Sequence, residues 1–313
     1  MSNWPTTEKK IRETKHGIIL ELNEDGINYL DTLSLVHTLS HENFNITLKN
    51  KPDKIIENAI SLLGIHCNEW YHFIAEYAWE LYLQNISEED IKKCKIILTE
   101  SNRPCKSDFQ KEWIKILFPF IGEDNFILLE RGVKLGCIKL LPVGRFCNNV
   151  IYQSPTDLNC VRSAIIKNLN LFNADKNSLL LIKRNYVRIL KNWEDVYKIC
   201  KKYCEEYNLK LDVFDDSKDL GDVTSQLKKF NSAKIVLGCH GAGFTNIISC
   251  NEETHFIEFK SLELRTNTGQ PDPPCFEMLA KKLGLKYNAL DKTDAIGVDI
   301  KKLSDILFNT IKE

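Results

Sequence analysis

The chain has 313 residues, with 42 Lys+Arg against 43 Asp+Glu and a formal net charge of -1. That length suits two domains with a self-sufficient core, and the near-balance of charge argues against a dedicated nucleic-acid binder, which carries a basic excess or a basic face. Hydrophobic content of 43% with 27% charged residues is that of a soluble folded chain, and no run of 18 apolar residues is present to form a transmembrane segment. The start, MSNWPTTEKKIRETK, has no apolar core and does not read as a signal peptide, so a cytoplasmic protein is expected. The 11 cysteines are scattered and odd in number, which fits reduced thiols. Cys200 and Cys204 lie four apart on a helical pattern, but no Cys or His pair has zinc-finger spacing, so no metal site is expected.

Short strands are predicted at HGIILEL, GINYLDT and NFNITLKN, between about residues 15 and 60. A strong amphipathic helix, NEWYHFIAEYAWELYLQNI, follows over 68–86, its apolar positions recurring at three and four. Strand CKIILTE, helix FQKEWIKILFPFIG and strands NFILLE and VKLGCIKLLPV complete a first strand–helix alternation. Pro, Gly and Asn cluster at 142–157, and a boundary there gives an N-terminal α/β domain, 1–148. A second alternation runs from helix VRSAIIKNLNL through strands SLLLIKR, LKLDVFD, KIVLGCH and THFIEF, with helices between them. This predicts a doubly wound, Rossmann-like domain over 149–275, then a helical segment over 276–313.

Four places could carry chemistry. In KIVLGCHGAGFTNII an apolar strand runs into His240, Gly241, Ala242 and Gly243, and a helix pattern starts at once. Glycines admit a ligand close to the backbone, and free amides at a helix N-terminus face an anion such as a diphosphate. Thr245 and Asn246 could add donors; the spacing of Gly238, Gly241 and Gly243 is not G-x-G-x-x-G. A bare glycine turn is equally an ordinary connection. Lys183, Arg184 and Arg188 follow the strand LLLIKR, at the strand end where open α/β sheets bind ligands. A guanidinium fork there suits phosphate or carboxylate, or is simply a solvated turn. Asn68, His72 and Glu76 stand four apart on one helix face. A carboxylate orienting an imidazole makes a base, although such a pair is also a common structural contact. Glu258 ends the strand THFIEF, where it could hold ribose or sugar hydroxyls.

Taken together, NEWYHFIAE, IKRNYVRIL, AKIVLGCHGAGFTNII and HFIEF, closed by FEMLAKKLGLKY, resemble glycosyltransferase family 61 in order and spacing over about 65–290. That family includes plant xylan arabinosyl- and xylosyltransferases and animal O-linked N-acetylglucosaminyltransferases. The resemblance implies an α/β protein of GT-B type, two Rossmann-like domains with a cleft between them, and inversion at the anomeric carbon. It implies that His240, Gly241, Ala242, Gly243 and Asn246 form the donor turn, that Arg184 and Arg188 are its basic pair, and that Glu258 is its acidic strand end. His72 and Glu76 match the N-domain His and acidic residue. Trp79-Glu80 stand where family members often carry Pro-Arg, and Phe244 stands where Leu is usual. Eukaryotic members usually carry a membrane anchor or signal.

No D-x-D triplet occurs, although Asp215 and Asp216 are adjacent. This agrees with a leaving diphosphate neutralised by amides and arginines, with no cofactor and no essential divalent metal. The expected function is an inverting transferase using a nucleotide sugar, a UDP-sugar above others, on a glycan or protein hydroxyl. The alternative is a non-catalytic nucleotide-sugar or glycan binder that keeps the fold. An acyl hydrolase is disfavoured, because no G-x-S-x-G elbow is present.

Overall fold

The structure is a computed structural model that describes residues 12–21, 54–63, 67–99, 108–130, 133–143, 153–172, 175–219, 222–261, 272–293 and 297–312. The chain divides into two compact units, Met1–Asn149 and Val150–Glu313. The strands expected at GINYLDT and NFNITLKN lie outside the described residues.

The first unit holds a five-stranded sheet of β1 (Arg12–Glu21), β2 (Lys54–Ser61), β3 (Lys95–Leu98), β4 (Phe126–Leu128) and β5 (Lys134–Pro142). Its order is β1-β5-β2-β3-β4; β1 runs antiparallel to β5 and the other neighbours are parallel. The chain moves outward from β2 to β3 to β4, then returns to β5 on the other flank of β2. The C-terminal ends of β2 and β5 therefore flank a topological switch point. From β2 the chain enters a helix that is α-helical over Trp70–His72, π-helical over Phe73–Ala78 and α-helical again over Trp79–Leu83. The 68–86 pattern thus forms a helix only over Trp70–Leu83, which leaves Asn68 before it, and the helix is not a regular one. It is buried on nearly every side, with Phe73, Ile74, Trp79 and Leu81 fully enclosed. Phe109 packs edge-on against Phe73, with ring centroids 5.7 Å apart. The helix Phe109–Leu117 ends where Phe118 leaves helical geometry, as the residue before Pro119 must.

The second unit holds β6 (Ser178–Lys183), β7 (Lys210–Asp215), β8 (Ala233–Cys239), β9 (His255–Lys260), β10 (Lys286–Thr293) and the short β11 (Gly297–Val298). The order is β11-β10-β9-β8-β6-β7, parallel except at β11. Counted within the unit, the parallel strands read 2-1-3-4-5, a doubly wound order whose switch point lies between β6 and β8. One face carries Leu179, Leu181, Ile235, Leu237, Ile257 and Phe259, covered by the helices Trp193–Glu206 and Ile300–Lys312. On the opposite face Phe244 packs edge-on against Phe256 at 4.7 Å and against Phe276 at 5.7 Å.

Two expectations are corrected here. The 276–313 segment is not simply helical: after the helix Cys275–Lys282 the chain forms β10, which pairs with β9 from Lys286 to Asp291 and belongs to the second sheet. The helix stops at Gly284, whose φ of +74° is left-handed, while the Leu285 N–H closes on the Ala280 carbonyl at 2.9 Å. The turn after Gly241 leads into a 3-10 helix, Ala242–Ser249, not an α-helix.

Candidate functional site

The switch point gathers the basic segment that follows β6. Beyond Lys183, Arg184 places its Nε 3.0 Å from Asp216 Oδ2, while Lys183 lies 3.9 Å from Asp215. Asn185 fastens the same loop: its backbone N–H and side-chain amide donate to Asp216 Oδ1 at 2.9 and 2.8 Å, and its amide also donates to Asp215 Oδ1 at 2.7 Å. Burial opposes ionisation of Asp215, but hydrogen bonds from Ser217 and Asn185, with Lys183 nearby, hold its carboxyl below the usual carboxylate range. The adjacent aspartates at the end of β7 are therefore counterions and acceptors that shape the basic loop.

Arg188, four residues on, is a non-glycine residue with φ of +54°, a strained backbone of the kind that clusters at functional sites. Its Nε lies 3.6 Å from Asp272 Oδ1, and Asp272 Oδ2 in turn accepts from the Ser261 N–H at 2.9 Å. Burial pushes the Cys239 thiol up to about 11, against the opposing pull of Lys292, Arg184 and Arg188. Asn185, Asp272 and buried Lys292 were not singled out from the sequence. Asn185 and Lys292 lie at strand ends, the one place that could have marked them, but Lys292 fell in a segment read as helical; Asp272, outside any strand, carries no such signal.

At the end of β8, Gly241 has the extended φ of 169°, which any residue could adopt, so glycine is not needed for its conformation. It is needed for space: a Cβ there would fall 1.6 Å from Arg184 Nη1. The guanidinium lies directly against the turn. At Gly243 a Cβ would meet nothing closer than Phe214 at 3.9 Å. Gly241→Ala should therefore displace the flexible end of Arg184 and leave the fold intact, changing stability by no more than about 1 kcal/mol. Nucleotide affinity measured by calorimetry should fall toward that of an Arg184→Ala protein; unchanged affinity would show that this contact has no part in binding.

The remaining predicted residues separate into two groups. His240 stays at the turn, its Nδ1 2.6 Å from Glu258 Oε1 and its ring 5.0 Å from that of Phe276. Glu258, read from sequence as a group for sugar hydroxyls, is completely buried, and its Oε2 accepts from Tyr287 at 2.7 Å. Thr245 and Asn246, read as extra donors, are also completely buried. The Thr245 hydroxyl donates to the Ala242 carbonyl at 2.7 Å, and the Asn246 amide donates to Gln226 at 3.0 Å. The first contact is internal to the 3-10 helix, and the second ties it to the helix Val223–Asn231.

In the first unit, His72 Nδ1 lies 3.0 Å from Glu76 Oε1, with side-chain exposures of 26% and 3%. The pair spans the start of the π-helical stretch, a distortion that often accompanies function. One turn on, Glu80 accepts from Gln84 Nε2 at 2.8 Å, continuing a polar row along a buried helix. Trp79, at the position of departure, is fully buried, and its indole N–H has no partner among the described residues.

The fold is that of an α/β protein built on parallel sheets, with an arginine-lined glycine turn suited to an anion at a switch point. Residues 70–257 match the family model described as Glycosyltransferase 61, and the chain belongs to that family. It is 33% identical over 86 residues to a beta-1,2-xylosyltransferase of Arabidopsis thaliana, covering 26% of this chain and 15% of the relative. It is 29% identical over 135 residues to the alpha-1,3-arabinosyltransferase XAT3 of Oryza sativa subsp. japonica, covering 42% and 20%. The beta-1,2-xylosyltransferase RCN11 of the same plant is 26% identical over 102 residues, covering 33% and 18%. The alignments span no more than 20% of the length of these relatives. Among the described residues no helix is long and apolar enough to cross a membrane.

Proposed function

We propose that the protein is an inverting glycosyltransferase of GT-B type, which moves a sugar from a nucleotide donor, a UDP-sugar, to a hydroxyl of a glycan or protein. The observation that carries this reading is the Arg184 guanidinium laid on Gly241 at the β6–β8 switch point, inside a family whose named relatives transfer pentoses. In the reaction the acceptor oxygen forms the new bond to the anomeric carbon. The bond to the donor phosphate breaks, and its electron pair leaves with the diphosphate. Arg184, Arg188 and the turn at 240–243 would receive that charge. The acceptor proton must go to a base, and His72 fits better than Glu76: the imidazole is partly exposed, while the carboxylate behind it is enclosed and holds Nδ1.

The reading is tested by a panel of nucleotide sugars, scored for thermal stabilisation and slow donor hydrolysis. A UDP-sugar should stabilise and be hydrolysed. Stabilisation without any turnover would favour a non-catalytic binder, and no stabilisation by any nucleotide would defeat the donor-site reading.

We also propose that no divalent cation is required. Supporting this, Asp215 and Asp216 are already engaged by Asn185, Ser217 and Arg184. Turnover should survive EDTA and gain little from Mn²⁺ or Mg²⁺. Abolition by chelation, with recovery on adding the ion, would overturn it.

A further inference from the structure

A carboxylate with no exposure in the middle of a parallel sheet is costly unless it is paired, and an apolar side chain would pack there more simply. Glu258 is paired on both oxygens, with His240 on Oε1 at 2.6 Å and Tyr287 on Oε2 at 2.7 Å. Glu258 and Tyr287 come from the adjacent strands β9 and β10, and His240 directly follows the neighbouring β8. Gly238 is the β8 partner of Glu258, so His240 lies two residues beyond it toward the C-terminal edge. Ala289 is the β10 partner of Glu258, so Tyr287 lies two residues back toward the N-terminal edge. The row thus runs obliquely from the sheet interior to the glycine turn.

An ionised carboxylate only accepts, so the tyrosine hydroxyl and the imidazole Nδ1–H both donate to Glu258. Burial and the Glu258 charge push the Tyr287 phenol far above its ordinary range, so it remains a donor. The other ring nitrogen, Nε2, has no hydrogen-bond partner among the described residues. His240 directly precedes Gly241, against which Arg184 lies.

We propose that Glu258 and Tyr287 are positioning residues for His240: they hold its Nδ1–H on Glu258 and turn Nε2 toward the glycine turn, where, carrying a second proton taken up with the anion, it donates to the donor diphosphate. This rests on the UDP-sugar reading above. It gives Tyr287, which lies outside the family match, a part in the reaction without contact with the substrate.

The test is proton NMR of the imidazole N–H signals with UDP as the probe, beside calorimetry and donor hydrolysis. A short imidazole–carboxylate hydrogen bond gives a slowly exchanging resonance far downfield of the amides. It should be present in the wild type and absent from His240→Gln and Glu258→Gln. In the conservative Tyr287→Phe it should move, because the carboxylate has lost its other donor, and saturating UDP should shift it in the wild type. Tyr287→Phe should lower donor turnover between about 10- and 100-fold, with UDP affinity within about twofold. Should UDP bind while the resonance stays unmoved and Tyr287→Phe turns over normally, the relay is overturned and the donor site stands. Should the wild type bind no UDP, both fall together.

Discussion

His72→Ala should lower kcat by about 10²–10⁴-fold, the usual worth of a general base, while UDP affinity stays nearly unchanged because the nucleotide is assigned to the second unit. Glu76→Gln should cost less. Gln can still reach Nδ1 through its amide oxygen, but it lacks the charge that stabilises a protonated ring, so it weakens the base without removing it. The two variants should also part in stability. Glu76 is buried and His72 is partly exposed, so the Glu76 change should lower the melting temperature more. The decisive set is kcat for donor hydrolysis, UDP affinity and melting temperature on both proteins. If both keep near wild-type kcat, the base lies elsewhere and the His72–Glu76 pair serves only the helix.

Arg184→Ala should weaken UDP binding by about 1.5–3 kcal/mol, roughly 10- to 150-fold, the range for hydrogen bonds to a charged group. The loop should survive the change, because Asn185 continues to hold both Asp215 and Asp216. Calorimetry on wild type and variant measures the loss directly. Equal affinity would reduce Arg184 to a partner of Asp216. The contrast with Gly241→Ala is informative, since that substitution keeps the guanidinium and only displaces it.

The second sheet was largely legible because buried parallel strands such as SLLLIK and AKIVLGC are nearly continuous apolar runs bounded by polar turns. β10 was missed because KYNALDKT alternates weakly and follows a helix pattern without a break in hydrophobicity; the stop was Gly284 alone. β2 was missed for a similar reason, as Glu57 and Asn58 interrupt KIIENAIS. At the site, the basic loop, the glycine turn and the His72–Glu76 spacing could be read from local sequence. The roles of Glu258 and Asn246 could not. Whether a polar side chain faces a ligand or a neighbouring strand depends on partners far off in the chain, such as Tyr287 and Gln226. That Gly241 makes room for a guanidinium was equally hidden, because the crowding atom belongs to Arg184, far off in the chain.

The position of β10 also limits how the protein can be cut. The family match ends at residue 257, inside β9. A fragment trimmed to that match would truncate β9, lose Glu258 and remove the strand that covers its outer edge. It would also lose the helix Ile300–Lys312 that covers Leu237 and Ile257. An uncovered, apolar strand edge is a template for pairing with another chain, so such a fragment is expected to aggregate on expression. Boundaries chosen by homology alone would mistake that insolubility for an unstable enzyme, whereas an expressed second unit has to run through Lys312.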